Sequence, residues 1–207
     1  MLLEKVQETY QKGEPIFIED ILSLYPEFTR AYVFRLAKQD ETNGDLVRFS
    51  RGVYCIPKET VLGEVTITST MVANTKYVSN KDNVYGIYSG LSLLNDFAVS
   101  TQVPNITEIV TNNETTRKRV VDIEGMKFVL RKSRFEITKD NYQYYTLLQL
   151  FFELGNNPDL STFSKERILE YIKLNNLDKS KLIQYAMSFP AQVMKNLIGS
   201  NIINVSI

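Results

Sequence analysis

The sequence predicts an α+β protein whose C-terminal part is helical. Apolar residues follow a helical pattern over residues 28–41, and two short strand-like segments come next, at residues 46–50 and 53–56. Arg51-Gly52 lies between these segments as a hairpin turn. A winged helix-turn-helix ends in this way, with its helix in the major groove and its hairpin, the wing, on the DNA backbone. We therefore interpret residues 1–58 as a winged helix-turn-helix DNA-binding domain.

The earlier segments of this domain agree with that interpretation. Residues 2–11 carry a helical apolar stripe that Gly13 ends, and residues 15–18 form a short strand-like run. Residues 19–24 predict a second helix, because the two acidic side chains at its start favour a helix N-terminus. Residues 25–27 predict the turn before the third helix, since the proline among them cannot continue a helix.

The third helix and the wing supply the candidate DNA-binding residues. On the helix, Val33, Leu36 and Ala37 should face inward, which leaves polar side chains on the outer face. The candidates are Thr29, Arg30, Arg35 and Lys38 on the helix, with Arg48, Ser50, Arg51 and Gly52 in the wing. We expect a positive φ at the wing glycine. The alternative is a protein-interaction module with solvated charges, since this domain holds 8 Lys and Arg against 9 Asp and Glu.

Composition limits the classes of function. With 43% hydrophobic and 23% charged residues, the 207-residue chain should form a true core. Its net charge is zero, so attraction to nucleic acid must come from local patches. Histidine is absent, which removes the commonest general base and most zinc sites. Phosphate-loop and calcium-loop motifs are also missing, so we expect no enzyme, no cofactor and no metal.

The compartment is predicted from cysteine use and hydropathy. A single cysteine, Cys55, excludes an internal disulfide and is expected to pack as a small hydrophobic residue. No apolar run is long enough to span a membrane, and the N-terminus has no signal-peptide pattern. We expect a cytoplasmic protein without membrane contact.

Several short motifs resemble the antitoxins of abortive-infection E systems (AbiEi-like). The run Arg51-Gly52-Val53-Tyr54, with a proline soon after, is similar to the end of that family's winged helix. Residues 84–94 and 101–104 look like the start of its second domain. The resemblance implies that the winged helix binds double-stranded DNA at its own promoter as an autorepressor. It also implies that the second domain counteracts a nucleotidyltransferase-like toxin, often without a stable complex.

The second domain is predicted to cover residues 59–207. Helices are expected at about residues 66–77 and 88–97, with residues 79–83 as the loop between them. Residues 106–111 read as a strand. Tyr85, Gly86 and Gly90 are expected to serve close backbone packing at a helix start, because a lone Y-G-x-x-x-G is no binding signature.

A basic hairpin follows in this domain. Residues 119–123 and 126–131 flank Glu124-Gly125, and a two-residue turn there would place Lys118 opposite Arg131. Like charges facing each other are unfavourable, so the open end invites an anionic partner. We interpret its cations as an antitoxin or anion-binding surface: Arg117, Lys118, Arg119, Arg131, Lys132 and Arg134. The alternative is a solvated rim neutralised by Glu114, Glu136 or another carboxylate.

From about residue 140 the chain reads as helical. Residues 144–154 are apolar on nearly every side, which predicts a buried central helix. Residues 164–175 predict an amphipathic helix, and Asp178 is placed to cap another, which Pro190 interrupts.

Two other functions remain open at this point. One is a winged-helix regulator whose second domain senses a ligand near residues 85–94. The other is a metal-dependent nucleic-acid enzyme that uses carboxylates from Asp82, Asp96, Glu108, Glu114, Asp122 and Glu124.

Overall fold

The computed structural model describes residues 2–60, 63–81, 83–156 and 160–202. The chain combines helices with small sheets whose strands are mostly antiparallel, so the predicted α+β class is confirmed. The chain divides into two compact units, a first unit, Met1–Thr75, and a second unit, Lys76–Ile207. Within the described residues, every helix is too short or too polar to cross a bilayer.

As far as Cys55, the first unit combines three helices with a three-stranded antiparallel sheet. Its elements are α1 (Leu2–Thr9), β1 (Ile16–Phe17), α2 (Ile18–Leu24), α3 (Arg30–Asn43), β2 (Val47–Ser50) and β3 (Val53–Cys55). Strand β3 is central and pairs with β1 through Ile16 and Tyr54, and with β2 through Val47 and Cys55. The order of helices, strand and hairpin is the order that the sequence predicts.

The core of the first unit explains the positions of its helices. Val33 and Ala37 of α3 are fully buried, as expected, whereas Leu36 is only partly buried. The helix starts two residues later than predicted because Thr29 caps it, its side chain accepting a hydrogen bond from the Tyr32 backbone N–H. The helix ends at Asn43, and Gly44 caps it with a φ of +82°, in the left-handed region.

The predicted domain boundary at Lys58 falls inside the first unit. A further hairpin begins there, formed by β4 (Lys58–Thr60) and β5 (Gly63–Val65). Helix α4 (Ser69–Tyr77) follows and contains the division between the units. It starts later than the predicted residue 66, because the Thr68 side chain accepts a hydrogen bond from the Met71 N–H and caps it.

The second unit is built on a four-stranded mixed sheet in the order β10–β11–β9–β8. The strands are β8 (Gly86–Ser89), β9 (Thr107–Thr111), β10 (Arg119–Ile123) and β11 (Met126–Lys132). Strand β11 pairs antiparallel with β10 and parallel with β9, so it is an interior strand. Its residues Phe128, Val129 and Leu130 are consequently all buried.

Two predicted elements differ from the structure near residues 79–97. The expected loop is a short hairpin of β6 (Ser79–Asn80) and β7 (Asn83–Val84), whose two-residue arms are too short to show a period. The helix predicted from residue 88 starts at Gly90 instead, as α5 (Gly90–Asp96). Its first residues belong to β8 because they pair with β9, and a φ of +61° at Gly90 ends the strand.

Four helices complete the second unit. They are α6 (Tyr142–Glu153), α7 (Thr162–Leu174), α8 (Lys179–Ala186) and α9 (Ala191–Gly199). Helix α6 is buried on most sides, as predicted, but Phe152 near its end is 37% exposed. Asp178 caps α8 by accepting from the Lys181 N–H at 2.8 Å, also as predicted. Helix α7 starts two residues early because Ser161 caps it.

Candidate nucleic-acid interface and basic pocket

A groove lies between α3 and the β2–β3 hairpin of the first unit. We call it the helix–hairpin groove; its volume is about 560 Å³. It brings together four of the predicted DNA-binding residues, Lys38, Arg48, Arg51 and Gly52. The other lining residues, which were not among the predicted DNA-binding residues, are Phe34, Glu41, Thr42 and Tyr54. Helical spacing could have indicated Phe34, Glu41 and Thr42, because these positions lie on the same side of α3 as Lys38.

The hairpin turn depends on Gly52. Its φ is +76°, as predicted for this turn, and its carbonyl accepts a hydrogen bond of 2.9 Å from the Ile18 N–H. A Cβ added at this position would lie 3.2 Å from Cγ2 of Ile18. Gly52 therefore joins the turn to the start of α2, and its contribution to the groove is to shape the backbone.

The cations of the groove are exposed. Across the bulge in β2, the Nε–H of Arg48 donates a hydrogen bond to the Ser50 carbonyl at 3.3 Å. Among the described residues, no carboxylate lies within ion-pair distance of Lys38, Arg48 or Arg51. Burial raises the pKa of Tyr54, and the nearby charge of Arg48 opposes that shift while Glu41 adds to it. The groove is thus cationic with one acidic border.

The remaining predicted residues lie outside the groove lining. The Thr29 hydroxyl is used as the helix cap. Arg30 forms an ion pair of 3.4 Å with Glu19, and its guanidinium lies over the Phe34 ring. Arg35 lies over the Tyr32 ring, and Ser50 is half-buried in its strand.

A second concave site lies in the second unit, between the end of β11 and helix α6. This basic pocket has a volume of about 460 Å³. Four of the predicted anion-binding residues line it: Arg117, Arg131, Lys132 and Arg134. The other lining residues are Val110, Ser133, Tyr145, Gln149 and Phe152, so no acidic side chain is among the described residues that line it. Lys118 and Arg119 lie outside it.

The predicted register of the basic hairpin is confirmed from Ile123 and Met126 as far as Val120 and Val129. The facing of Lys118 with Arg131, however, is not part of the ladder. The last pair is Arg119 with Leu130, because β10 begins there and the chain before it turns towards Glu114. Arg131 pairs with Val110 of β9 instead.

Two carboxylates neutralise part of the positive charge. Nε of Arg119 lies 2.7 Å from Oε2 of Glu114, and Nε of Arg131 lies 2.7 Å from Oε2 of Glu108. The alternative of partial neutralisation by Glu114 is therefore correct for Arg119. The Glu114 side chain, 2% exposed, also accepts hydrogen bonds from the backbone of Thr115 and Thr116 and from the Thr116 hydroxyl.

These contacts set the protonation of Glu114. Burial acts to raise its pKa, but hydrogen bonds from Thr116 and Arg119 and the charge of Arg119 outweigh burial and lower the pKa to about 2. Glu114 is thus a fixed anion at neutral pH. It holds Arg119 away from the basic pocket.

Among the described residues, the carboxylates proposed for a metal-dependent enzyme form no metal-binding cluster. Asp82 lies outside the described residues. Within the described part of the chain, no three His, Cys, Asp or Glu side chains cluster in a way that could hold a metal ion. Glu108 and Glu114 bind arginines, and Asp122 accepts a hydrogen bond from the Gly125 N–H at 2.8 Å.

Two glycines of the segment predicted as an alternative ligand site, Gly86 and Gly90, are closely packed. A Cβ on Gly86 would lie 2.0 Å from the Tyr77 carbonyl oxygen and 2.9 Å from that of Val110. Gly90 lies against the Glu108 side chain. Both glycines thus serve close packing, as the sequence analysis expected.

Comparison with known proteins gives one family. The model of a family of unknown function, DUF6088, matches residues 2–179. The chain belongs to this family. The DUF6088 match includes every lining residue of the helix–hairpin groove and of the basic pocket. No curated protein and no solved structure matches the chain.

Proposed function

We propose that this protein is an antitoxin and a DNA-binding autorepressor of a toxin–antitoxin operon, acting in the cytoplasm as a binding protein without enzymatic activity. The observation that supports DNA binding best is the helix–hairpin groove, where Lys38 of α3 and two arginines of the hairpin, Arg48 and Arg51, meet. The order α1, β1, α2, α3, β2, β3 and the sheet order β1–β3–β2 also support a winged helix-turn-helix.

In this proposal α3 enters the major groove of the operator. Arg48 and Arg51 then reach the phosphates beside it, because a wing contacts the DNA backbone next to the helix. Phosphate contacts position a protein on the duplex without reading sequence, so we assign base contacts to the exposed side of α3 and backbone contacts to the hairpin. Arg30 and Arg35 are held over aromatic rings of the same helix, and we assign them a secondary role.

A gel-shift titration with a duplex of the protein's own promoter tests the proposal. Replacing Lys38, Arg48 and Arg51 together by alanine should weaken binding by about two to three orders of magnitude at low salt and flatten its salt dependence, since each lost phosphate contact reduces the counterions released. The matched control is Lys12→Ala, which removes an exposed cation of the same unit outside the groove. Unchanged binding by the triple variant would refute the DNA-binding proposal.

The antitoxin part of the proposal comes from the resemblance to AbiEi-like antitoxins. The ion pairs of the second unit show which of its cations are suitable for testing this part of the proposal. Arg119 and Arg131 are poor choices for charge reversal, because a glutamate there would face Glu114 or Glu108. Lys118 and Lys132 are exposed, and no carboxylate among the described residues pairs with them.

The test is co-expression with a nucleotidyltransferase-like toxin encoded beside this gene. Lys118→Glu combined with Lys132→Glu should abolish protection from the toxin while promoter binding by the first unit continues. The control reverses two exposed lysines of α7 and α9, Lys165→Glu and Lys195→Glu, and should protect like the wild type. Full protection by the first double variant, at normal protein level, would show that these cations have no antitoxin role.

A further inference from the structure

The basic pocket concentrates cations from separate parts of the second unit. Arg117 comes from the loop before β10, Arg131 and Lys132 from the end of β11, and Arg134 from the segment that follows. Helix α6 closes the other side with Tyr145, Gln149 and Phe152. Like charges brought this close repel each other, so a bound anion would relieve an unfavourable arrangement.

The segment that carries these cations is held in place by hydrogen bonds. The Asn112 side chain accepts from the Ser133 hydroxyl and the Ile137 N–H, and it donates to the Ile137 carbonyl at 2.7 Å. The backbone N–H of Arg134 donates a hydrogen bond to the Tyr145 hydroxyl at 2.9 Å. A backbone fixed on both sides lowers the entropy lost when a ligand binds, which is the usual advantage of a preformed site.

Arg134 is itself oriented by aromatic rings. Its guanidinium carbon lies 4.4 Å from the centre of the Phe152 ring and 5.3 Å from that of Phe189. A guanidinium stacked in this way keeps its planar set of N–H donors available at its edge, where they fit two oxygens of one phosphate.

The charge of the pocket is not cancelled internally. Glu108 binds Arg131 from the β9 side, and the described residues offer no such carboxylate to Arg117, Lys132 or Arg134. The volume of about 460 Å³ falls within the range of roughly 300–1,000 Å³ that is typical of small-molecule sites. Of the apolar lining residues, Phe152 is 37% exposed and adds apolar surface beside the cations, whereas Val110 and Tyr145 are buried behind it.

We propose that this pocket binds a nucleoside triphosphate, with the phosphates against Arg117, Lys132 and Arg134 and the nucleoside against the apolar side. A small ligand fits better than a nucleic acid, because the cations converge in one cavity instead of forming a row. Arg119, which would extend such a row along β10, is bound to Glu114. The inference involves only the second unit and does not depend on the DNA-binding proposal.

Isothermal titration calorimetry on the full chain tests the proposal. The ligands are ATP, GTP, CTP and UTP, with the matching monophosphates and nucleosides, inorganic tripolyphosphate, and a single-stranded oligonucleotide of mixed sequence. At least one triphosphate should bind at least about tenfold more tightly than its monophosphate and than the oligonucleotide, and its nucleoside should not bind measurably, because charge-assisted hydrogen bonds to phosphate supply most of the affinity.

Variants then locate the site. Arg117→Ala with Lys132→Ala should weaken triphosphate binding by about tenfold or more without changing the thermal midpoint, since both side chains are exposed. Arg134→Lys keeps the charge but loses the planar donor fork, so it should also weaken binding. Lys127→Ala, on the same strand but outside the pocket, is the matched control and should bind like the wild type.

The opposite outcomes are equally clear. Absence of triphosphate binding would overturn the proposal, as would equal affinity for nucleoside and triphosphate. Tighter binding of the oligonucleotide that depends on the same residues would identify a nucleic-acid surface instead. Equal binding of tripolyphosphate and all four nucleotides would retain the phosphate site and overturn the nucleoside part. If Lys127→Ala weakened triphosphate binding as much as the pocket variants do, the binding would be a non-specific effect of positive charge and the proposal would be overturned.

Discussion

The β2–β3 hairpin of the first unit and the β10–β11 hairpin of the second unit each turn through two residues, the second a glycine, and both carry arginines. In the first hairpin the glycine is packed, because Gly52 contacts Ile18. In the second, Glu124 and Gly125 both have positive φ, as a type I′ turn requires, and nothing lies within 4 Å of a Cβ built on Gly125. The same sequence signal therefore gives one turn that is part of a core and one that is free in solvent.

The arginines of the two hairpins also differ in their ion pairing. Arg119 and Arg131 of the second hairpin are each bound by a glutamate at 2.7 Å, whereas Arg48 and Arg51 of the first have no carboxylate within ion-pair distance among the described residues. The hairpin richer in cations is thus the one whose arginines are partly neutralised. A count of charges along a sequence does not measure the charge that a surface presents, because buried carboxylates alter it.

The largest expected effect comes from Glu114. Glu114→Ala should lower the free energy of unfolding by about 2–3 kcal/mol, because it removes a charged acceptor, only 2% exposed, that holds hydrogen bonds from two backbone N–H groups and Arg119. Urea unfolding followed by circular dichroism measures the change. Glu136→Ala, which removes an exposed carboxylate from the same unit, should change stability by less than about 0.5 kcal/mol and serves as the control. Equal losses of stability in Glu114→Ala and Glu136→Ala would show that the hydrogen-bonded, buried carboxylate contributes no more than the exposed one.

The same carboxylate predicts how stability depends on pH. The pKa of Glu114 falls from 4.5 to about 2 in the folded protein, so its contribution to stability is complete above pH 4.5 and is lost as the pH falls through 2. The difference in unfolding free energy between the wild type and Glu114→Gln should therefore be constant near neutral pH and shrink between these two values. A difference that does not change down to pH 2 would contradict the lowered pKa.

Local signals in the sequence predicted much of this fold. Both hairpins, the cap at Asp178 and the buried helix α6 follow from residues close together in the chain. Several helix starts shift by two or three residues because of local caps, whereas the helix predicted from residue 88 is wrong because of pairing between distant segments. The helix predicted from residue 88 begins as β8 because β9 supplies hydrogen bonds to it, and no local pattern reveals that partner.

The candidate sites show the same division. Lys38, Arg48 and Arg51 could be grouped from the sequence, because a helix and the hairpin after it are neighbours. The hydroxyl of Thr29 near the start of α3 was a signal for its role as the helix cap. The ion pair of Arg30 with Glu19 depends on local geometry that residue type alone leaves open. The contribution of α6 side chains to the lining of the basic pocket could not be predicted from the sequence. It depends on how α6 packs against the end of β11.

The two turn glycines offer a direct test of the packed and free hairpins. Gly52→Ala should destabilise the protein by about 2 kcal/mol, from the left-handed backbone and the contact of 3.2 Å with Ile18. Gly125→Ala should cost only about 1 kcal/mol, since its backbone is left-handed but its surroundings are open. Promoter affinity should also fall in Gly52→Ala and not in Gly125→Ala. Equal costs would mean that the contact with Ile18 adds nothing to the strain.

The smallest effect is expected at Glu108, whose ion pair with Arg131 has the same 2.7 Å distance as the pair of Glu114 with Arg119. The two pairs therefore have the same length but differ in the exposure of the carboxylate. The Glu108 side chain is 28% exposed and its partner Arg131 is 36% exposed, whereas the Glu114 side chain is 2% exposed. Water screens such a pair, so Glu108→Gln should cost less than about 1 kcal/mol, and the amide keeps the contact with Gly90. Because the substitution also leaves the charge of Arg131 uncompensated in the lining of the basic pocket, the affinity for a triphosphate should rise in calorimetry while stability barely changes. A loss of stability as large as that of Glu114→Ala would show that distance, and not burial, decides the strength of these two pairs.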